Sequence, residues 1–308
     1  DTATGFGDDE STWNGLIVDK VGGTYECLTD GTQTGTFTVT QLVVTSQDSC
    51  AGLAEIPYGV HAIGSEAFKD TALTAITIPE SVMSIEDHAF QNSDLTSVTI
   101  PASTTSIGAG VFADADGLSS IGVADGSQSF QADNGVLFDL GLNSLVQYPN
   151  GKTQTSYTIP AGVETVNASA FEGEGNLTSV VIPTGVLSID DYAFQSTGLT
   201  SVTIPASVET IGGGVFAQAS ALTTISVSVG GESFRAVDGV LLNYGQTEIV
   251  QYPNGKTQTS YTIPTNVESI GEAAFKGASR LTTVTFPTSI TRVGDYAFDQ
   301  ASTLVTLK

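Results

Sequence analysis

Short runs in which apolar residues alternate with threonine and serine recur along the chain: LTAITIP from Leu73, LTSVTIP from Leu95, LTSVVIP from Leu177, LTSVTIP from Leu199 and LTTVTFP from Leu281. Alternation of period two predicts half-buried strands. In the first run Leu73, Ile76 and Ile78 point inward, and Val82, Ile85 and Phe90 fill the path that leads to the next run. Pro79, Pro101, Pro160, Pro183, Pro205, Pro264 and Pro287 each follow a run. Proline cannot donate a ladder hydrogen bond, so it ends every strand at the same depth. Phe68, Phe90, Phe112, Phe171, Phe194, Phe216, Phe275 and Phe298 mark a structural position, spaced by 22 or 23 residues apart from two steps of 59. No apolar pattern has the length of a helix, so the segments around these phenylalanines read as short turns or single-turn helices opposite the strands.

A period in the twenties with one short strand per unit is the signature of a leucine-rich solenoid. One unit buries too few side chains to offset the entropy of ordering it, so neighbouring units must share their buried faces.

A second period of 104 residues overlies the first, because VQYPNGKTQTSYTIP stands at both 146–160 and 250–264. The long steps contain SFQADNGVLFDLGLNSLVQYP from Ser129 and SFRAVDGVLLNYGQTEIVQYP from Ser233. Asn134-Gly135 and Asp238-Gly239 signal tight turns. Strands are predicted near 128–132, 135–139 and 144–148, with counterparts near 232–236, 239–243 and 248–252. These make two β meanders, in insertions near 124–153 and 228–257, projecting from the edge of the strand ribbon. QTSYTIP then restores the register of the repeat. Residues 1–50 lack the repeat and read as an amino-terminal β cap on a solenoid spanning 51–308, with two strands around a polar turn in GGTYECLTDGTQTGTFTVTQLVV. Cys27 and Cys50, the only cysteines, permit one disulfide.

The sentence LxxIxIPxxVxxIgxxAF, matched by Leu95 to Phe112 and Leu199 to Phe216, together with GVLF or GVLL, VQYPNGK and YTIP, resembles the BspA-like leucine-rich repeat family of bacterial surface proteins over about residues 51 to 308. Asp70, Asn92 and Asp114 stand at or near the place where that family often has cysteine. The resemblance implies a mostly β, right-handed solenoid with short strands on the concave face, and short turns or 3-10 segments on the convex face. It also implies a secreted or cell-surface location, and adhesion or binding of a host or cell-surface protein or a glycan. Such repeats also serve as structural spacers or accessory solenoids.

Charge narrows the partners. Thirty-three acidic residues against nine basic ones give a net charge of −24, which disfavours nucleic acid and anionic membranes. No run is long enough to span a bilayer. The start at Asp1, with no leader, reads as a processed or excised segment. The chain is expected to be a monomer without a cofactor.

Candidate chemistry is sparse, and no catalytic group is assigned. His88 falls in a slot shared with Tyr192 and Tyr296, and His61 in one shared with Met83 and Leu187, which indicates packing or rim positions. No G-x-S-x-G elbow occurs, and the glycines at 212–214 lack a phosphate-binding frame. Glu86-Asp87 and Asp190-Asp191 read as a solvated acidic rim, and Asp8, Asp9 and Glu10 lack the ligand order of a calcium loop. No metal site is assigned.

The candidate binding residues are therefore on the surface. Alternation places Ser97, Thr99, Ser201, Thr203, Thr283 and Thr285 on a hydroxyl-lined ribbon. Tyr148 and Tyr252, before the Pro-Asn-Gly turns, are candidates for aromatic contacts with a partner or for packing the meanders, and Lys152 and Lys256 add scarce positive charge.

Overall fold

The computed structural model describes residues 22–307 and the backbone of two short strands, Ser11–Trp13 and Leu16–Val18. The Asp8, Asp9 and Glu10 cluster and most of the first twenty residues assigned to the cap lie outside the described residues.

The chain is a β-solenoid, and every coil passes through three hydrogen-bonded rows. The first row holds the alternating strands, paired in parallel: Ser97–Ile100 lies beside Ser120–Val123, Ser156–Thr158 beside Ser179–Val181, Ser201–Ile204 beside Thr224–Val227, and Ser260–Thr262 beside Thr283–Thr285. Alternation works as the pattern predicts. Val98 and Ile100 are buried while Ser97 and Thr99 are exposed. Each strand-ending proline turns the chain, its carbonyl accepting from the N–H three residues on, as in Pro79 to Val82 at 3.1 Å. The second row consists of two-residue strands such as Ala62–Ile63, Ser84–Ile85 and Ser106–Ile107, again parallel.

The third row contains the phenylalanines and is built of turns; no helix of any kind occurs among the described residues. The reason lies in the backbone on either side of each ring. Residues two before the phenylalanine (Glu66, His88, Gly110, Ser169, Tyr192, Gly214, Ala273, Tyr296) and two after it (Asp70, Asn92, Asp114, Gly173, Ser196, Gln218, Gly277, Gln300) all have φ between 50° and 81°. A left-handed residue on each side cannot continue a right-handed helix. It instead aims its N–H at the next coil: Glu66, Phe68 and Asp70 donate to the carbonyls of Asp87, Ala89 and Gln91 at 2.7 to 3.0 Å. Beneath this row the rings stack, with centroids 5.4 Å apart from Phe68 to Phe90 and from Phe90 to Phe112. All the marker phenylalanines are fully buried except Phe298, which is partly buried in the last coil.

The beginning of the solenoid needs a cover. Three antiparallel strands, Gly23–Thr29, Thr32–Thr40 and Val43–Asp48, supply it. The sequence pattern predicted two. The first pairs antiparallel with Ala51–Glu55 at the head of the first row, and the third pairs in parallel with Ala62–Ile63 at the head of the second. The sheet thus spans both rows, and a Cys27–Cys50 disulfide, Cα atoms 5.4 Å apart, fastens it next to the first repeat.

The meanders are where the structure departs most from expectation. Their strands lie at Phe130–Asp133, Val136–Asp139 and Ser144–Gln147, and again at Phe234–Val237, Val240–Asn243 and Glu248–Gln251. They do not project from the ribbon. Ser144–Gln147 pairs in parallel with Thr165–Val166 and Glu248–Gln251 with Ser269–Ile270, so each meander ends by founding a new second row. Its faces are buried in different cores: Leu137 and Val146 join the core before it, whereas Val136, Phe138 and Leu145 join the core after it. Leu241 and Val240 divide in the same way between the second and third cores. Each meander is an internal wall repeating the amino-terminal device.

Candidate interaction surface

The phrase QYPNGK closes each wall, and its side chains are consumed in doing so. Tyr148 and Tyr252 are each 1 % exposed, with centroids 5.1 Å from Phe171 and Phe275. Both rings therefore continue the phenylalanine stack, and their assignment as contacts for a partner is corrected to a core role. Burial pushes both hydroxyls up to about 12. Lys152 and Lys256 are tied down as well, donating to the Asn134 and Asp238 carbonyls at 2.7 and 2.6 Å. Asn150 and Asn254 donate to the carbonyls of Glu172 and Lys276, and a Cβ at Gly151 would stand 2.6 Å from the Gly117 carbonyl carbon.

Other residues singled out in the sequence also serve the coils. Asp87 and Asp191 accept the N–H groups of Ala109 and Gly213 at 2.8 and 2.7 Å, so the acidic rim satisfies turn amides of the next coil. Gly214 has φ 59° and passes beneath the Tyr192 ring, which a Cβ there would meet at 2.5 Å; Gly110 bears the same relation to His88 at 3.0 Å. His61 is exposed, and its carbonyl accepts the N–H groups of Met83 and Ser84. Among the described residues no group of three or more His, Cys, Asp or Glu side chains is placed to hold a metal ion.

What remains free is the first-row strand face. Ser97, Thr99, Ser201 and Thr203 are exposed, while Thr283 and Thr285 are half-buried. Pairing puts them in file: Ser97 lies opposite Ser120, Thr203 opposite Ser226, and Thr283 opposite Ser260. The nine strands from Ala72–Thr77 to Thr283–Thr285 contain no charged residue. Strands are depleted in Asp and, to a lesser degree, in Glu and Lys, and here the depletion is complete across all nine.

The face is not uniform. Between Ser179–Val181 and Ser201–Ile204 lies a groove of about 390 Å³ lined by Val180, Val181, Ile182, Val202 and Pro205 with serine and threonine hydroxyls around them. Val181 breaks the hydroxyl file and is 54 % exposed. Alternation within LTSVVIP puts Val181 on this face, but the groove beside it requires two neighbouring coils and is not legible in one run.

Comparison with known proteins agrees with this architecture. Solved structures similar to the chain include a leucine-rich cell-surface protein from Faecalibacterium prausnitzii A2-165, at 26 % identity over 84 % of this chain and 59 % of that one, with a TM-score of 0.49. The pneumococcal vaccine antigen PcpA is 21 % identical over 90 % of this chain and 59 % of its own, with a TM-score of 0.41. A leucine-rich repeat protein from Eubacterium ventriosum ATCC 27560 is 21 % identical over 91 % of this chain and 95 % of its own, with a TM-score of 0.50. The chain thus spans about three-fifths of the length of the first two. No curated protein matches it. The model of the BspA-type leucine-rich repeat region matches six copies, over residues 49–134, 148–237 and 251–308. With that match covering most of the chain, and with the coils, rows and phenylalanine stack described above, the protein belongs to the BspA-type leucine-rich repeat family.

Proposed function

We propose that this chain is a noncatalytic interaction module of a bacterial cell surface, acting in adhesion or host interaction, and that the uncharged stretch of the first-row face, from Ala72–Thr77 to Thr283–Thr285, receives a protein partner. The observation that carries the reading is the absence of charge from nine successive strands in a chain of net charge −24. Such a face avoids the desolvation cost of burying carboxylates against a neutral surface. The groove beside Val181 takes an aliphatic side chain of the partner, and the surrounding hydroxyls take its backbone. No exposed aromatic ring stands on these strands, since Tyr157 and Tyr261 are half-buried against the core rings, which favours protein over glycan.

The test is binding of the whole chain to a panel of host matrix proteins, cell-surface proteins and glycans at low and high salt. Saturable binding that changes little with salt, and is lost in Val181→Glu with Thr203→Glu at an unchanged unfolding midpoint, is the expected result. Absence of saturable binding across the panel supports a structural spacer instead. Binding that collapses with salt and survives the double variant moves the contact to the acidic coils.

A further inference from the structure

The two joints between solenoid blocks share their wall and their QYPNGK closure but differ in charge. At the first joint Asp114, Asp116, Glu172 and Glu174 occupy the turns around the wall; 104 residues later the same positions hold Gln218, Ser220, Lys276 and Ala278. All four carboxylates are confined to one joint.

Glu174 is the most confined of them. Its position, three residues after the buried phenylalanine, holds Thr71, Ser93, Ala115, Thr197, Ala219, Ala278 and Ala301 in the other coils. The carboxyl is nevertheless 0 % exposed. Its Oε1 accepts the Asn176 N–H at 3.1 Å, and its Oε2 has no hydrogen-bond partner. Glu172, 6 % exposed, accepts from the Gln195 side-chain amide at 2.5 Å and also lies beside Asp114. A carboxyl with a buried, unpartnered oxygen is more stable neutral than ionised.

We infer that the first joint is a proton-linked hinge point, closed with Glu174 protonated and loosened when Glu174 ionises, whereas the second joint is indifferent to pH. The groups that face Glu174 decide the sign. Burial is the largest influence and Asp116 adds to it, the Asn176 and Leu177 amides and Lys152 oppose it without cancelling it, and together they leave the carboxyl pushed up to about 8. Tyr148 also borders Glu174, but its own hydroxyl is pushed up to about 12 and stays neutral. Glu172 is raised by burial and by Asp114, with Ser169, His88 and Gln195 opposing, and Asp116 is raised by burial and by Asp114. Every carboxyl with a resolved shift at the joint therefore moves toward proton uptake. A folded-state value above that of the unfolded chain means that stability is full below the unfolded value and is lost as pH rises toward the folded one. For Glu174 the window runs from about pH 4.5 to about 8.

Amide hydrogen exchange of the intact protein, read separately for Phe171–Leu177 and for the matching Phe275–Leu281, tests this. After correction for intrinsic exchange, the local opening constant of the first segment should rise with pH through the window, by up to about tenfold per unit, the limit for one linked proton. The second segment should stay flat. Glu174→Gln should reduce the rise to the smaller part that Glu172 and Asp116 contribute, and Glu174→Ala, the residue the second joint carries, provides a variant suited to the same slot. Parallel profiles for the two segments in the wild-type protein would overturn the inference. So would a calcium-induced protection of the first segment that is lost in Glu174→Ala, since the carboxyl would then serve a cation and not a proton.

Discussion

Gln251 accepts the Phe216 N–H at 3.3 Å through Oε1 and donates through Nε2 to the Ala274 carbonyl at 3.1 Å. In ordinary coils the phenylalanine N–H meets a backbone carbonyl directly, as Phe194 meets Val215 at 2.9 Å. At the wall one coil is displaced, and a side-chain amide spans the gap.

Gln251 is fully buried, so replacing it with alanine leaves the Phe216 N–H without its partner, while the Ala274 carbonyl keeps the Tyr252 N–H at 2.8 Å. Gln251→Ala should lower unfolding free energy by about 2–3 kcal/mol, measured by urea denaturation. A loss under about 0.5 kcal/mol would mean that water replaces the relay.

Tyr148 separates a core role from a binding role. Tyr148→Ala should cost about 3–5 kcal/mol, as for other large aromatic truncations. Tyr148→Phe should cost about 1 kcal/mol or less, because its hydroxyl makes only a long 3.5 Å contact with Gln154. Neither change should alter partner affinity in the fraction that stays folded, which a binding isotherm at matched folded concentration checks.

The walls present equivalent residues to the core before them, Leu137 and Val146 at the first and Leu241 and Val250 at the second. Excision of residues 131–234, which joins Phe130 to Arg235, should therefore give a folded, shorter solenoid. Its far-ultraviolet circular dichroism per residue should match the parent, and its unfolding should remain cooperative. Aggregation or a molten spectrum would show that the two walls are not interchangeable.

The Cys27–Cys50 bridge closes a separation of 23 residues. Cys27→Ala with Cys50→Ala should cost about 3 kcal/mol on the chain-entropy model. Because both positions are buried in the first core, exchange protection should fall first in the cap strands and Ala51–Glu55.

Much of the fold was legible because repetition multiplies a weak local signal. The run LTSVTIP alone could be an isolated strand; aligned with its fellows, it gives the inward and outward positions, which the burial of Val98, Ile100, Val202 and Ile204 bears out. The structure buries the wall instead of projecting it, and the sequence carries a sign of this. GVLF and GVLL have three apolar residues in succession with no alternation, the pattern of a strand buried on both faces. The turn dipeptides Asn134-Gly135 and Asp238-Gly239 fit a buried and an exposed meander equally well.

The sequence by itself determined the repeat period, the strand faces, the phenylalanine row and the duplication of a long unit, since these are properties of spacing along one chain. Only the tertiary structure decided where the spare side chains go: Tyr148 and Tyr252 into the ring stack, Gln251 into a broken ladder, and Glu174 into a closed joint. Burial of a side chain between coils depends on residues 22 to about 60 positions away, and a local pattern does not record which of two apolar faces a neighbouring coil will cover.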